Sequence, residues 1–104
     1  MAQFLRIFQT AVDPADVQTV RDLFADDIVT AYADLTGCLA VELLMSVATN
    51  AGGLVEGCAI SRWESLDAME AGLSSRAARE AQVRIVELLR QEPVVRVFEV
   101  LCPG

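Results

Sequence analysis

The residues of this chain best suited to chemistry lie in one short segment, CAISRWES, at positions 58–65. It holds the only tryptophan, Trp63, at the end of a predicted strand. Because side chains alternate between the faces of a strand, Ala59 and Ser61 share a face with Trp63. Small side chains beside an indole can leave space for a ligand, and ligand pockets are mostly apolar with a few polar groups. The segment therefore predicts a small-molecule pocket lined by these three residues.

A filled core is the alternative for the same strand face. Phe24 and Met69 lie on the helices predicted to cover it, and both side chains are bulky enough to occupy the space. If the space is a pocket, Phe24 and Met69 belong to its lining. If these side chains fill the space, Trp63 is a packing anchor at a strand–helix junction. The sequence leaves both alternatives open.

Four arginines lie in the second predicted helical region: Arg76, Arg79, Arg84 and Arg90. Arg76, Glu80 and Arg84 are four residues apart, which predicts ion pairs on a solvated helix face, worth about 0.3–0.5 kcal/mol each. The functional alternative has Arg84 or Arg79 turning inward to hold a phenolate or an enolate. Arginine suits that role because it stays charged when it is buried.

Tyr32 carries the only phenol and could orient a substrate, or could place its hydroxyl at the surface. A strand glutamate such as Glu42 could act as a general base. The three cysteines, Cys38, Cys58 and Cys102, lack CxxC spacing and predict free thiols.

Two missing residue types exclude many reactions. The chain has no histidine, and all eight of its basic residues are arginine. It therefore offers no imidazole base, no histidine ligand for zinc or haem, and no lysine for a Schiff base. A GxGxxG segment is also missing. We expect chemistry without a metal or an organic cofactor.

The overall charge and hydropathy limit the partners. A net charge of −7 disfavours nucleic acids and anionic membranes. No run of about 20 uncharged apolar residues predicts a membrane span, and the first residues lack signal-peptide features, so we expect a cytoplasmic protein. Yet 54% of the residues are hydrophobic. That is more than a small core needs, which predicts a partner subunit.

Turn and capping residues divide the chain into elements. Asp13-Pro14 is expected to start the first helix and Gly37 to end it, while Ala51-Gly52-Gly53 predicts a hairpin turn. Ser65 caps a second helical region, which breaks at 74–75, where Ser75 caps its longer part. The predicted strands are 4–12, 38–50, 54–64 and 94–101, and the helical regions are 14–36 and 66–91.

The order βαββαβ over residues 1–104 predicts a single α+β domain with the ferredoxin-like fold. Its four-stranded antiparallel sheet would carry both helices on one face. The other face would be bare and apolar, with Phe4, Phe8, Phe98 and Val100 on it. We expect two copies to pack through these faces as a homodimer, a dimeric α+β barrel. Polar strand residues, some expected to pair across the interface, are Arg6, Gln9, Glu42, Glu56, Arg62, Arg96 and Glu99.

The βαββαβ order in about 100 residues, with RWES ending the third strand, resembles the antibiotic biosynthesis monooxygenase domain of the dimeric α+β barrel superfamily. The resemblance covers nearly the whole chain. It implies a pocket between the sheet and the helices, and an activity among cofactor-free oxygenases of anthrones or quinols, or among haem-degrading enzymes.

The chain departs from both enzyme patterns. The anthrone oxygenases have Asn, Tyr and Arg where this chain has Ala59, Met69 and Val83. The haem-degrading members use a histidine and a second tryptophan, whose positions fall near Gln82 and Gly72. The absence of any histidine strongly disfavours haem degradation by that route.

Three functions remain open from the sequence. The first is a cofactor-free monooxygenase of a small quinol-, anthrone- or polyketide-like aromatic, with Trp63 and Arg84 as the candidate catalytic residues. The candidate substrate-binding residues are Ser61, Ala59, Tyr32, Phe24, Met69 and Arg79. The second is a non-catalytic dimer that binds a small molecule or serves as an accessory subunit. The third is a cyclase or isomerase with a carboxylate base.

Overall fold

The computed structural model describes residues 2–104 and has the predicted order βαββαβ, with both helical regions divided into shorter pieces. The strands are β1 (Gln3–Val12), β2 (Cys38–Thr49), β3 (Val55–Trp63) and β4 (Val94–Val100). The helices are α1 (Val17–Leu23), α2 (Thr30–Ala33), α3 (Leu66–Leu73) and α4 (Arg76–Val86). A 3₁₀ turn (Pro14–Asp16) precedes α1, and a π-helical segment (Phe24–Val29) joins α1 to α2.

The four strands form one antiparallel sheet in the order β2-β3-β1-β4. In this arrangement the two central strands come from opposite halves of the chain, and the two βαβ halves interleave. The predicted α+β ferredoxin-like fold is therefore confirmed.

Side-chain caps begin the helices where the sequence predicts them. The Asp13 carboxylate accepts a hydrogen bond from the Ala15 amide at 2.8 Å. The Ser65 hydroxyl accepts one from Ala68 at 3.0 Å and begins α3. The predicted break at 74–75 is also confirmed, because Ser75 caps α4.

The π-helical segment was not predicted. Val20, Phe24, Ile28 and Tyr32 are all buried, each four residues after the last. In a regular α-helix a spacing of four overshoots one turn by about 40°, so such a row drifts around the helix. The wider turns of the π-helix offset this drift. The segment thus keeps four successive buried side chains facing the sheet.

Two predicted helix ends were wrong. The first helical region ends at Ala33, before Gly37, which lies instead in a tight turn closed by the Cys38 amide and the Leu35 carbonyl at 3.1 Å. Helix α4 ends at Val86, five residues earlier than predicted. Beyond it the chain pairs with β1, where the Arg90 amide donates to the Ala11 carbonyl at 2.8 Å. Tertiary pairing with a strand therefore replaces the last helical turn.

The side-chain faces of β1 were also assigned wrongly in part. Phe4 pairs with Trp63, and Phe8 pairs with Ala59. Directly paired residues of antiparallel strands lie on the same face, so Phe4 and Phe8 face the helices rather than the open side. Phe98 pairs with Leu5, on the opposite face. The open face therefore carries Leu5 and Ile7 from β1 beside Phe98.

The core lies between the sheet and the helices. Its largest fully buried side chain is Trp63, at 0% exposure. The cluster around it comprises Phe24, Ile28, Tyr32, Met69, Ala78 and Ala81. No helix within residues 2–104 combines the length and apolar character needed to span a bilayer.

Candidate functional site

A partly open cavity of ≈ 80 Å³ lies between the helix side of the sheet and the covering helices. Most of its lining is aliphatic or aromatic, including Phe24 and Ile28 of the π-helical segment. Five polar residues interrupt the apolar lining: Arg6, Thr10, Tyr32, Ser61 and Gln82. An apolar cavity with a few convergent polar groups is the usual form of a small-molecule site.

The floor of the cavity exists because β3 carries small side chains there. Gly57, Ala59 and Ser61 follow each other on the helix face of the strand, and all three line the cavity. Neighbouring β2 places Val41, Leu43 and Met45 on the same face. Of the predicted pocket residues, Ala59, Ser61, Tyr32 and Phe24 line the cavity.

Trp63 lies outside the cavity lining and is buried in the core. Its indole N–H donates to the Ser61 hydroxyl at 2.9 Å, and its ring centroid is 6.3 Å from that of Tyr32. Both of these neighbours line the cavity. Trp63 thus packs beside the floor on the same face of β3 and orients Ser61, whose hydroxyl hydrogen stays directed away from the indole nitrogen.

Arg84 and Arg79 do not line the cavity. The Arg84 guanidinium makes two hydrogen bonds to the Asp27 carboxylate, at 2.7 and 3.1 Å, and its side chain is 63% exposed. The hydrogen bonds that Arg84 donates to Asp27 raise the pKa of Arg84. Arg79 is exposed on α4, while Arg76 forms the predicted pair with Glu80 at 2.8 Å.

Met69 is buried in the core cluster and does not line the cavity. Its thioether fills space on the α3 side of Trp63. The site therefore combines elements of both sequence alternatives, with a filled core around the indole and an open space farther along the same strand.

Tyr32 is buried, and its hydroxyl accepts a hydrogen bond from the Gln82 side chain at 3.0 Å. Burial raises the pKa of Tyr32, whereas the Gln82 hydrogen bond and the positive charge of Arg6 lower it in part. The phenol is therefore neutral at physiological pH. Its proton is free to be donated toward the cavity, because its oxygen is the acceptor in the bond with Gln82.

Arg6 is one of three polar cavity residues, with Thr10 and Gln82, that were not predicted as site residues from the sequence. It lies on β1 directly opposite Ser61, and its guanidinium carbon is 5.7 Å from the centroid of the Phe8 ring. Within residues 2–104 no carboxylate lies within 4.0 Å of it, unlike Arg76, Arg84 and Arg90. The signal in the sequence was the alternation Phe4-Arg6-Phe8-Thr10, which puts a cation among residues of one face.

The cavity opens beside Val86, which is 51% exposed. A shallow surface groove continues from this mouth and shares Phe8, Gln82, Val86 and Leu89 with it. Of the described residues that line the cavity, none is Asp or Glu. Nor do any three His, Cys, Asp or Glu side chains within residues 2–104 lie close enough together to hold a metal ion.

The fold and the cavity together are those of a small α+β protein with a ligand space between sheet and helices. The sequence profile of the antibiotic biosynthesis monooxygenase family matches residues 3–84. The chain belongs to this family, which confirms the resemblance seen in the sequence. No curated protein matches the chain in sequence.

Several solved structures share the fold at low sequence identity. Rv0793 from Mycobacterium tuberculosis is 22% identical, with 98% of each chain covered and a TM-score of 0.73. A candidate antibiotic biosynthesis monooxygenase from Caulobacter crescentus is 18% identical, with 96% of this chain and 91% of that chain covered and a TM-score of 0.77. A variant of SnoaB, a cofactor-independent oxygenase from Streptomyces nogalater, is 16% identical, with 97% and 95% covered and a TM-score of 0.76.

Proposed function

We propose that this protein is a cofactor-independent monooxygenase of a small aromatic phenol or quinol. The observation that carries the proposal is the apolar cavity with a buried phenol, Tyr32, a hydroxyl, Ser61, and a cation, Arg6, on its walls. Membership of the antibiotic biosynthesis monooxygenase family supports the reaction class. The oxygenase description of SnoaB belongs to that protein and enters here as an analogy.

The reaction needs only what such a cavity can supply. An electron-rich phenol or quinol loses a proton, and the resulting anion reacts at carbon with O2 to form a C–O bond. The hydroperoxide then eliminates water and leaves a carbonyl, so one oxygen atom enters the product and the other leaves as water. The substrate provides all four electrons. The protein orients the anion, stabilises its charge and excludes bulk water.

The size of the cavity favours one ring over a fused tricycle. An apolar cavity of about 150 Å³ holds benzene, and the cavity here measures ≈ 80 Å³. A single ring therefore fits only if part of it lies in the open mouth beside Val86. A hydroquinone is on this ground a better match than an anthrone.

Oxygen consumption tests the proposal directly. Purified protein is incubated with substituted hydroquinones and with anthrone in an oxygen electrode, and products are identified by mass spectrometry with ¹⁸O2. We expect hydroquinone turnover with one labelled oxygen in the product. The variant Ala59→Leu fills the cavity floor and should lower the rate about 10-fold or more, as a misplacement near the reacting atoms does.

The control for this variant is Ala77→Leu, because Ala77 is exposed on α4 and away from the cavity. It should keep the wild-type rate. Absence of oxygen consumption with every hydroquinone and with anthrone would count against the oxygenase. Equal rates in both variants would place the reaction outside this cavity.

A non-catalytic binding protein is the second candidate. The replacement of the family's Asn and Tyr by Ala59 and Met69 favours it. Mass spectrometry of a ligand bound without chemical change, together with no oxygen consumption, would support it. A cyclase or isomerase with a carboxylate base is less favoured, since no Asp or Glu of the described residues lines the cavity.

We also propose that two copies pack through the open face of the sheet. No helix covers this face, and Leu44, Val94 and Phe98 on it are about half exposed. Large exposed apolar patches usually mark an interface. In a two-fold arrangement each patch meets its own copy, so Arg62 and Glu42 of the face could pair across it.

Substituting Phe98 tests this interface. Phe98 is 50% exposed on the open face, and its neighbour Val97 is 43% exposed on the opposite face. We expect sedimentation velocity to show a dimer for the wild type at micromolar concentration, a monomer for Phe98→Asp, and a dimer for the control Val97→Asp. A monomeric wild type would overturn the proposed interface.

A further inference from the structure

The cavity holds a cation whose charge is not neutralised by the protein. Arg6 lies on the cavity wall, while Arg76, Arg84 and Arg90 each have a carboxylate within 4.0 Å. Within residues 2–104 Arg6 has no such partner and donates no side-chain hydrogen bond. The Phe8 ring lies beside its guanidinium. A cation that is half-buried among apolar side chains has lost part of its hydration, so an anion that enters the cavity is attracted to it.

Two hydroxyl groups that can donate hydrogen bonds line the same cavity as Arg6. Arg6 and Ser61 are directly paired across β1 and β3, so their Cβ atoms are about 4.5–5.5 Å apart. The Ser61 hydroxyl already accepts a hydrogen bond from Trp63, which leaves its own hydrogen to donate. Tyr32 likewise accepts from Gln82 and can donate. The walls thus present a cation and two hydroxyl donors.

We propose that Arg6 is the specificity-determining residue of the cavity and selects a single-ring ligand that carries one anionic oxygen, a phenolate or a related enolate. The ring lies among Phe8, Phe24 and Ile28, and the anionic oxygen lies against Arg6 and Ser61. The proposal rests on the proposed function in that both use this cavity. It departs from the sequence expectation, in which Arg84 or Arg79 held the anion.

The titratable groups of the cavity are consistent with this assignment. Of the lining residues only Arg6, Tyr32 and Cys58 have ionisable side chains. Burial raises the pKa of both Tyr32 and Cys58, which keeps them neutral near pH 7. The register places the Cys58 side chain on the open face. Arg6 is thus the one charged side chain that an anion meets among the described lining residues.

Binding of 4-nitrophenol tests the proposal without requiring turnover. Its phenolate absorbs visible light and its neutral form does not, so one titration reports both affinity and ionisation. We expect wild-type protein to bind the phenolate and to lower the apparent pKa of the bound dye below that of the free dye. Arg6→Gln should bind the phenolate about 10- to 100-fold more weakly, the usual loss of a charge-assisted hydrogen bond. Arg6→Lys should recover part of the loss.

Two controls separate charge from folding. Neutral 4-nitroanisole should bind wild type and Arg6→Gln equally, which shows that the cavity of the variant is intact. Arg76→Gln, which removes an exposed arginine on α4, should match wild type with both ligands.

The outcomes also separate this inference from the oxygenase proposal. Phenolate selection by Arg6 with no oxygen consumption would support the inference and count against the oxygenase. Oxygen consumption that is unchanged in Arg6→Gln would support the oxygenase and overturn the inference. Equal wild-type affinity for phenolate and nitroanisole, or no binding of either, would also overturn it.

Discussion

Replacing Trp63 with alanine is expected to lower the free energy of unfolding by about 3–5 kcal/mol, the usual cost of truncating a buried large aromatic side chain. The indole is 0% exposed and packs against Tyr32. Its removal also takes away the hydrogen bond that the buried Ser61 hydroxyl accepts at 2.9 Å. Small domains are stable by about 5–15 kcal/mol in total, so this loss would bring the protein near its unfolding threshold.

Urea denaturation followed by circular dichroism measures the effect, since the variant lacks the only tryptophan fluorophore. All variants are compared at one protein concentration, because association would make apparent stability depend on concentration. Trp63→Phe is the control, because it keeps an aromatic ring beside Tyr32 but removes the N–H donor. Trp63→Phe should lower the free energy of unfolding clearly less than Trp63→Ala does. A loss below about 1 kcal/mol for Trp63→Ala would contradict the anchoring role, because core aromatic truncations normally cost far more.

Replacing Gly37 with alanine is expected to cost about 2–5 kcal/mol, from two separate sources. Gly37 has a φ of +81°, a left-handed conformation that disfavours any side chain. A Cβ there would also lie 2.5 Å from the Cβ of Ala68 and 3.0 Å from the Cγ of Glu64. Both neighbours belong to the β3–α3 junction, and the Glu64 amide donates to the Gly37 carbonyl at 2.9 Å. The clash cannot be relieved without shifting α3.

Gly53 supplies a matched control for this substitution. Its φ is +79°, but a Cβ there would meet nothing within 4 Å. Gly53→Ala should therefore lower the free energy of unfolding only by the cost of placing alanine in a left-handed conformation, about 1–2 kcal/mol. The difference between the two variants in urea denaturation measures the steric term alone. If Gly37→Ala and Gly53→Ala lowered the free energy of unfolding equally, the clash at Gly37 would be relieved by a shift of α3 that costs no stability.

Trp63 and the cavity lie on the same face of strand β3 but at different points along it. Trp63 lies at the end of the strand, where α3 begins and helix side chains pack closely. Gly57 and Ala59 lie farther along the strand, where these two small residues line the cavity. One strand therefore supports a rigid anchor and an open site. Ser61 links them, because it accepts the indole hydrogen bond and also lines the cavity.

Local chemistry determined the order of elements in this protein. The caps at Asp13, Ser65 and Ser75 act within two or three residues, and the turn at 50–54 is closed by Asn50, whose side chain accepts from the Gly52 amide at 2.9 Å. Such signals depend only on neighbouring residues. The element order, the ferredoxin-like class and the family could therefore be read from the sequence.

Only the tertiary structure decided which side chains form the site. Arg84 pairs with Asp27, 57 residues earlier in the chain, and this removes it from the cavity. Arg6 enters the cavity because β1 pairs with β3 in the register that sets it opposite Ser61. A slip of one residue would reverse every side chain of the strand. Register and long-range pairing depend on contacts between distant segments, and for that reason the sequence identified the strand that forms the cavity floor but not the arginine that lines the cavity.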